Sequence, residues 1–498
     1  MRKGYLYHLI SRKIELSKFF IYSFLIAFSI NCFSTDKKTI NIDEKIEYFN
    51  VKNAYYWNSS EVLFNQSLYD KYNPKSGFWL PLSEIIGFNL LISSYNRFVT
   101  KSEFAQISFE SIKNNFKHGF DWDADDLYTN FWRHPYQGSI YYNTARSNGY
   151  SYYESMGFTF FGSLQWEFFM EIEPAAINDV ILTTFAGAMV GEIFYRLANH
   201  VIDESSGGFE RVVREGSLTF FNPGRLINRA VRGRVTRKNK ENIYERRRYY
   251  ANFKIGINKL NLINSYSHNQ KAIFLKFTLN YDDPFLKKRI KPFDHFYLST
   301  IINPTETNIM NTFRLFSILY GVKFTNSVKK FEVILGTFQN FDYLQNDIYQ
   351  IGSLDLSFGL MFKRKFRKES LLLGYFTLGA VPMAGVNSQY AKYSLVKKLN
   401  MSRDYNLGWG GTTKLNLLFS IPYVTLKAHY TTWLIHSYHG ANGTEFIGVF
   451  EPAIHINLVE RISIGVEAVI YHRKANYRKY PDVDKINRNY KAFVEFKL

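Results

Sequence analysis

One cysteine, Cys32, serves a chain of 498 residues, so no disulfide can form within one copy and stability has to come from packing and strand pairing. Acidic residues are also short, 43 against 62 basic, which leaves a formal charge of +19. That excess suits a partner dense in negative charge, either nucleic acid or an anionic membrane surface. A mean hydropathy of -0.23 excludes a multi-helix membrane protein. The chain has no nucleophile elbow, no HExxH helix, no phosphate-cradling glycine loop and no paired-cysteine metal site. His134 and His200 stand too far apart in sequence to argue for a metal. Neither a metal nor any other cofactor is therefore expected, and the composition says nothing of oligomeric state.

What the chain has in plenty is aromatic residues: 37 Tyr and 46 Phe, and 18% aromatic overall. Low hydropathy with many aromatics suits a transmembrane β-barrel, whose strands turn apolar groups to lipid only at alternate positions and whose rims collect aromatic rings. The length allows two or three domains, so a boundary is to be sought. At the start, Arg2, Lys3, Arg12, Lys13 and Lys18 precede an uncharged stretch from Phe19 to Thr35, the pattern of an export signal. Export argues against nucleic acid as partner. Cys32 lies where that apolar core ends, the position of a lipidated cysteine, although Ser29, Ile30 and Asn31 before it make a poor lipobox.

From Tyr249 onward the period is two. Tyr249, Ala251, Phe253, Ile255 and Ile257 share a face, with Asn252, Lys254, Gly256 and Asn258 on the other. Ile273 to Tyr281, Leu354 to Phe362 and Ile462 to Ile470 repeat the contrast. About twelve runs of about ten residues fit before the C-terminus, each long enough to cross a bilayer at a tilt. The minor faces hold Gly, Ser, Thr, Asn and single charges, which predicts a narrow, filled lumen. Tyr281, Tyr320, Trp409 and Trp433 are expected at the membrane interfaces. The last run, Tyr490, Ala492, Val494, Phe496 and Leu498, ends on an apolar residue, as exported barrels do for the assembly machinery. Barrel-assembly machinery and outer-membrane lipids are thus the expected partners. A soluble β-domain behind a signal anchor uses the same alternation and is the competing reading.

Ahead of the barrel the period is helical. Two segments stand out, one from Ser155 carrying Glu167 and Glu171 one turn apart, the other from Ala175 to Asp203 with Gly187 and Gly191 spaced for close backbone approach. Pro174 between them predicts a helical hairpin. On the second, Ala188, Glu192, Arg196 and His200 line one stripe, and Glu192 precedes Arg196 in the order that favours an internal pair. The expected layout is a signal peptide over 1–35, a polar segment over 36–82, a helical domain over 83–235, a basic linker over 236–248 and the barrel over 249–498. The linker's Arg246, Arg247 and Arg248 are candidates for lipid head-group contact.

The run from Asp121 to Ser155, DWDADDLYTNFWRHPYQGSIYYNTARSNGYSYYES, is the richest in distinctive residues. Asp121, Asp123 and Asp125 alternate like a calcium loop, but Asp126 replaces the required Gly and Trp132 the bidentate Glu. Together with WEF at Trp166, INDVILTTFAG from Ile177, GEIFYR from Gly191 and FNPGRLINR from Phe221, the run resembles an uncharacterised bacterial envelope family, domain of unknown function 3943. The resemblance spans roughly Phe88 to Arg229 and implies a shared helical domain, with no activity attached. His134, Asn143, Arg146, Asn148, Glu167, Asp179, Glu192 and Arg196 are polar groups among apolar helices, so a paired network joining them is expected. A sharper reading makes His134 a general base beside Glu167 or Glu192 in an enzyme on envelope lipids. The expected fold is α+β: a helical domain, as plug or periplasmic domain, ahead of an antiparallel transmembrane barrel of about twelve strands. The expected role is envelope organisation or small-molecule passage rather than catalysis.

Overall fold

The computed structural model describes residues 66–241, 243–261, 271–304, 310–326, 330–346, 349–367, 370–391 and 403–498. The export segment and Cys32 lie outside the described residues. A helical unit ends at Arg246 and a β unit begins at Arg247.

In the helical unit, α1 (Gln66–Tyr72) leads to α2 (Trp79–Ser94), which runs on through a π-turn over Tyr95–Val99. Next come α3 (Phe109–His118), α4 (His134–Ser147, entered through a π-turn over Thr129–Arg133) and α5 (Tyr152–Phe169). Then α6 (Ile177–Ile181) passes through a third π-turn, Leu182–Ala186, into α7 (Gly187–Val201), and α8 (Gly208–Phe221) and α9 (Pro223–Val231) follow. Local chemistry sets the ends. Ser108 and Ser151 form capping boxes with Ser111 and Glu154, and Asn222 caps Arg225 N–H while Pro223 opens α9. The two helical segments read from the sequence are α5 and the continuous helix Ile177–Val201.

Between them lies α4, which the apolar period did not announce. Its residues are mostly small or polar, and eleven of its fourteen are buried, so it has no apolar stripe to read. It is instead the partner that Gly187 and Gly191 make room for. A Cβ on Gly138 would stand 1.9 Å from the Thr183 carbonyl oxygen, and one on Gly187 would stand 2.7 Å from Gly138 Cα. Gly191 is filled by the Tyr142 ring in the same way, with 2.6 Å to the nearest ring carbon. The helix Ile177–Val201 is long and apolar enough to cross a membrane by length and composition, yet nearly all of it is buried inside the helical unit. It is a core helix of the bundle.

The β unit is a closed antiparallel barrel. Its strands are β1 (Tyr249–Asn261), β2 (Lys271–Tyr281), the two-residue β3 (Arg289–Ile290), β4 (Phe296–Ile302), β5 (Met310–Asn326), β6 (Phe331–Gln345) and β7 (Gln350–Arg367). They continue with β8 (Ser370–Asn387), β9 (Tyr405–Ser420), β10 (Val424–His439), β11 (Gly443–Val459), β12 (Ile462–Tyr477) and β13 (Val483–Lys497). Twelve of them form the ring in chain order, with β3 attached to the outside of that order through β5. Closure comes from β1 pairing β13, Phe253 opposite Phe496 and Ile257 opposite Ala492, while β1 pairs β2 on its other side. A ring leaves no sheet edge, which is what a bilayer demands of strands. The longest strands reach eighteen residues, well beyond the roughly ten that cross a bilayer.

The faces follow the alternation. Ile255, Ile257, Leu356, Phe358, Ile464 and Val466 point out and are exposed, whereas Lys254, Asn258, Asp355, Ser357 and Glu467 point in and are buried. A sandwich would bury the apolar face instead, so the soluble β-domain is set aside. Two of the expected girdle residues differ. Trp433 turns inward, fully buried, and donates its Nε1–H to Ser353 Oγ at 2.9 Å, because its neighbour Leu434 takes the outward position. Tyr281 is covered by the Phe296 ring, stacked at 4.6 Å. Tyr320 and Trp409 are exposed as expected.

Candidate functional site

The polar residues of the helical unit form three separate groups. The first is built on α4, α5 and α6. His134 opens α4, Glu167 ends the buried face of α5, and Asp179 stands on α6, each from a different chain segment. One ligand atom from each lies within 4.8 Å of the others, and His134 Nε2 stands 3.6 Å from Asp179 Oδ1. Glu167 Oε2 accepts from Ala176 N–H at 2.8 Å, and Asp179 Oδ1 accepts from Asn178 Nδ2 at 2.8 Å. Asn178 also donates to Asn130 Oδ1 at 3.0 Å and accepts from Asp123 N–H, while Asn130 donates to Asp123 Oδ2 at 2.9 Å. Burial, aided by Arg133, holds the His134 imidazole down to about 4, so it is neutral at ordinary pH. Burial and the neighbouring acids push both Glu167 and Asp179 well above the usual carboxylate range.

The second group is an ion-pair knot around Glu192 on α7. Arg146 Nε donates to its Oε2 at 2.9 Å, Arg196 Nε to its Oε1 at 2.8 Å, and Tyr142 Oη to its Oε2 at 2.7 Å. Burial alone would raise this carboxyl, but the two guanidiniums hold it below its ordinary value. The third group ties down α8, α9 and the segment after them. Arg229, fully buried, donates to Glu215 at 2.6 and 3.0 Å and to Glu204 at 3.1 Å, and Arg237 adds 2.7 Å to Glu204. Arg225 donates to the Tyr195 carbonyl at 2.7 Å and to Asn199 Oδ1 at 2.8 Å.

The single network expected from the sequence is thus divided. His134 meets Glu167 and Asp179, and not Glu192. Arg146 and Arg196 belong with Glu192. Asn143 accepts from Asn222 Nδ2 at 2.9 Å, and Asn148 donates to Glu84 at 2.8 Å. His200 is buried at the end of α7, its imidazole held down to about 3 by burial and Arg246. Arg246 donates to the carbonyls of Asn199 and Ile202 at 3.0 and 2.9 Å, and Arg247 and Arg248 stand 3.9 and 3.8 Å from Asp282. Sequence reasoning passed over Asn130, Asn178, Glu204 and Glu215. Asp123 was read only against a calcium loop. The signal for Asn178 lay beside Asp179 in the same motif element.

In the barrel the inward charges pair with one another. Lys491 and Lys276 approach Glu467 at 2.9 and 3.3 Å, and Lys414 approaches Asp342 and Asp355 at 2.6 and 2.8 Å. Arg314 on β5 forms an ion pair with Glu451 on β11. Those strands are six places apart in a ring of twelve, so the pair joins opposite walls. Asn346, at the end of β6, donates to Tyr471 Oη on β12 at 3.4 Å, a second pair six places apart. Packed against Tyr471, the side chains of Trp433, Ile435, Ile447, Val449 and Val469 form a buried apolar layer with Ile351. A cavity of about 130 Å³ remains between Tyr349, Tyr471 and Arg473, room for a few waters at roughly 30 Å³ each.

The family model described as domain of unknown function (DUF3943) matches residues 119–224, the stretch from the end of α3 to the start of α9, as the sequence motifs indicated. No curated protein matches the chain. Among solved structures, the NanC porin in a rhombohedral crystal form is similar at 10% identity, over 50% of this chain and 100% of that one, with a TM-score of 0.27. The outer-membrane channel DcaP of Acinetobacter baumannii is similar at 7% identity, over 50% and 96%, with a TM-score of 0.22. Salmonella typhi OmpF in complex with daunomycin is similar at 8% identity, over 51% and 98%, with a TM-score of 0.21. The ring closure itself, β1 on β13 with an apolar exterior, identifies the second half of the chain as a transmembrane β-barrel, and the stretch 119–224 ahead of it is matched by the domain of unknown function.

Proposed function

We propose that this is a non-enzymatic outer-membrane protein whose barrel is closed along its axis by its own side chains and which serves envelope organisation rather than free diffusion of solutes. The Arg314–Glu451 pair carries this reading. An ion pair between opposite walls takes up the middle of the lumen, and the apolar layer around Trp433 supports the same conclusion. A pore for hydrophilic solutes needs a water-filled, polar interior. Localisation follows from the exterior: an edgeless ring with isoleucine, leucine and phenylalanine turned outward is stable in hydrocarbon and costly in water.

Two measurements test it. The purified protein should migrate differently on gels with and without heating, because a closed barrel resists detergent unfolding; equal migration counts against the barrel in a membrane. In planar bilayers the wild type should show no steady conductance. A wild type that conducts ions as a steadily open channel defeats the closed-lumen reading.

A further inference from the structure

The helical unit neutralises its buried acids in two places and leaves them without a cation in a third. Glu192 lies between Arg146 and Arg196, and Glu204 and Glu215 share Arg229. Glu167 and Asp179 are as deeply buried, 2% and 4% exposed, yet among the described residues no lysine or arginine forms an ion pair with either. Two N–H donors, from Ala176 and the Asn178 amide, are what the protein offers them. Buried carboxylates without a cation either keep their protons or hold a metal.

Three further observations favour the metal. An imidazole, His134, faces the two acids with one ligand atom of each group within 4.8 Å of the others, and imidazole is the commonest metal ligand among side chains. Its Nε2 lies 3.6 Å from Asp179 Oδ1, close to the ~3.4 Å separating two tetrahedral ligands at about 2.1 Å from a common ion. Two buried hydroxyls stand one helical turn along the chain from two of these ligands. Ser163 is one turn before Glu167 and Thr183 is one turn after Asp179. Both side chains are buried, 1% and 2% exposed, and neither oxygen has a hydrogen-bond partner.

We propose that His134, Glu167 and Asp179 form a binding site for one divalent first-row transition-metal ion. One imidazole with two carboxylates suits Zn²⁺, Mn²⁺ or Fe²⁺ better than Ca²⁺ or Mg²⁺, which take oxygen ligands alone. Three protein ligands are one fewer than a closed structural zinc site uses. The fourth position falls to water. The metal ties α4, α5 and α6 together where, among the described residues, no lysine or arginine pairs with Glu167 or Asp179.

The test uses the full-length protein in detergent, stripped with chelator and titrated calorimetrically with ZnCl₂ and, separately, MnCl₂. One equivalent should bind. Glu167→Gln and Asp179→Asn keep shape and remove charge, and each should weaken binding by more than the ~10–100-fold that losing an outer-sphere partner costs. Circular dichroism and heat-modifiable migration identify a variant that has failed to fold, and the other variant then decides. No binding of either metal to folded wild type overturns the proposal. So does one equivalent bound with equal affinity by wild type and both folded variants.

Discussion

The two halves of the chain bury charge in different ways. In the barrel inward lysines and arginines meet acids on neighbouring or facing strands, as in Lys491–Glu467, Lys414–Asp342 and Arg314–Glu451. Period-two geometry sends every second residue to the same lumen, so opposite charges on different strands meet there. In the helical bundle the pairing is uneven. Glu192 is held by two guanidiniums, while Glu167 and Asp179, little more than a few turns away along the chain's helices, have none. The lesson is that burial alone does not define a site. An acid with its cation is a fastener, whereas an acid without one is a place where a proton or a ligand belongs.

That contrast can be broken most severely at Glu192. Glu192→Ala leaves buried Arg196 and half-buried Arg146 without their carboxylate and should cost ~3–5 kcal/mol in the helical transition, read by denaturant unfolding at 222 nm. A loss under ~1 kcal/mol would mean the knot is dispensable. Gly138→Ala comes next. Its Cβ would meet the Thr183 carbonyl oxygen at 1.9 Å, so α4 and α7 must separate, at ~1–3 kcal/mol, while the barrel's gel shift stays intact.

A smaller effect is expected from pH. Burial pushes the Glu171 carboxyl up to about 8, against the Trp166 indole N–H that donates to it at 2.6 Å. The folded chain therefore keeps a proton that the unfolded chain releases from near 4.5. Stability is greatest below that value and declines as pH rises towards 8. Melting temperatures of metal-free protein across that window should fall, and Glu171→Gln should flatten the decline. A profile that rises instead would refute the assignment. The smallest effect belongs to Asp179→Asn in metal-free protein. Burial pushes this carboxyl well above the usual carboxylate range, so replacing it with a neutral amide should change stability by less than about 1 kcal/mol. A loss as large as that of Glu192→Ala would erase the difference between the two sites.

Much of the barrel was readable beforehand because a strand's face is a local property. Lys254 and Ile255 declare opposite sides by adjacency alone, and twelve such runs needed no knowledge of what each would meet. Trp433 was misplaced at the rim because its ring was judged by type, although its parity with Leu434 points it inward. The helical site was legible only in part. His134, Glu167 and Asp179 were each singled out, but they are 33 and 12 positions apart along the chain, and no local period joins them. Helix α4 went unseen for a related reason: a helix buried on every side, and built of small and polar residues, shows no stripe.

By itself, then, the sequence determined the alternation of the strands, their approximate number, the family motif and the identities of the polar residues, since these are fixed within a few bonds of each Cα. Only tertiary structure decided which acid received a cation, which did not, and that Arg314 would reach Glu451 across the ring. Pairing between distant segments depends on how backbones cross, and the crossing at Gly138 and Gly187 is set by the packing of whole helices.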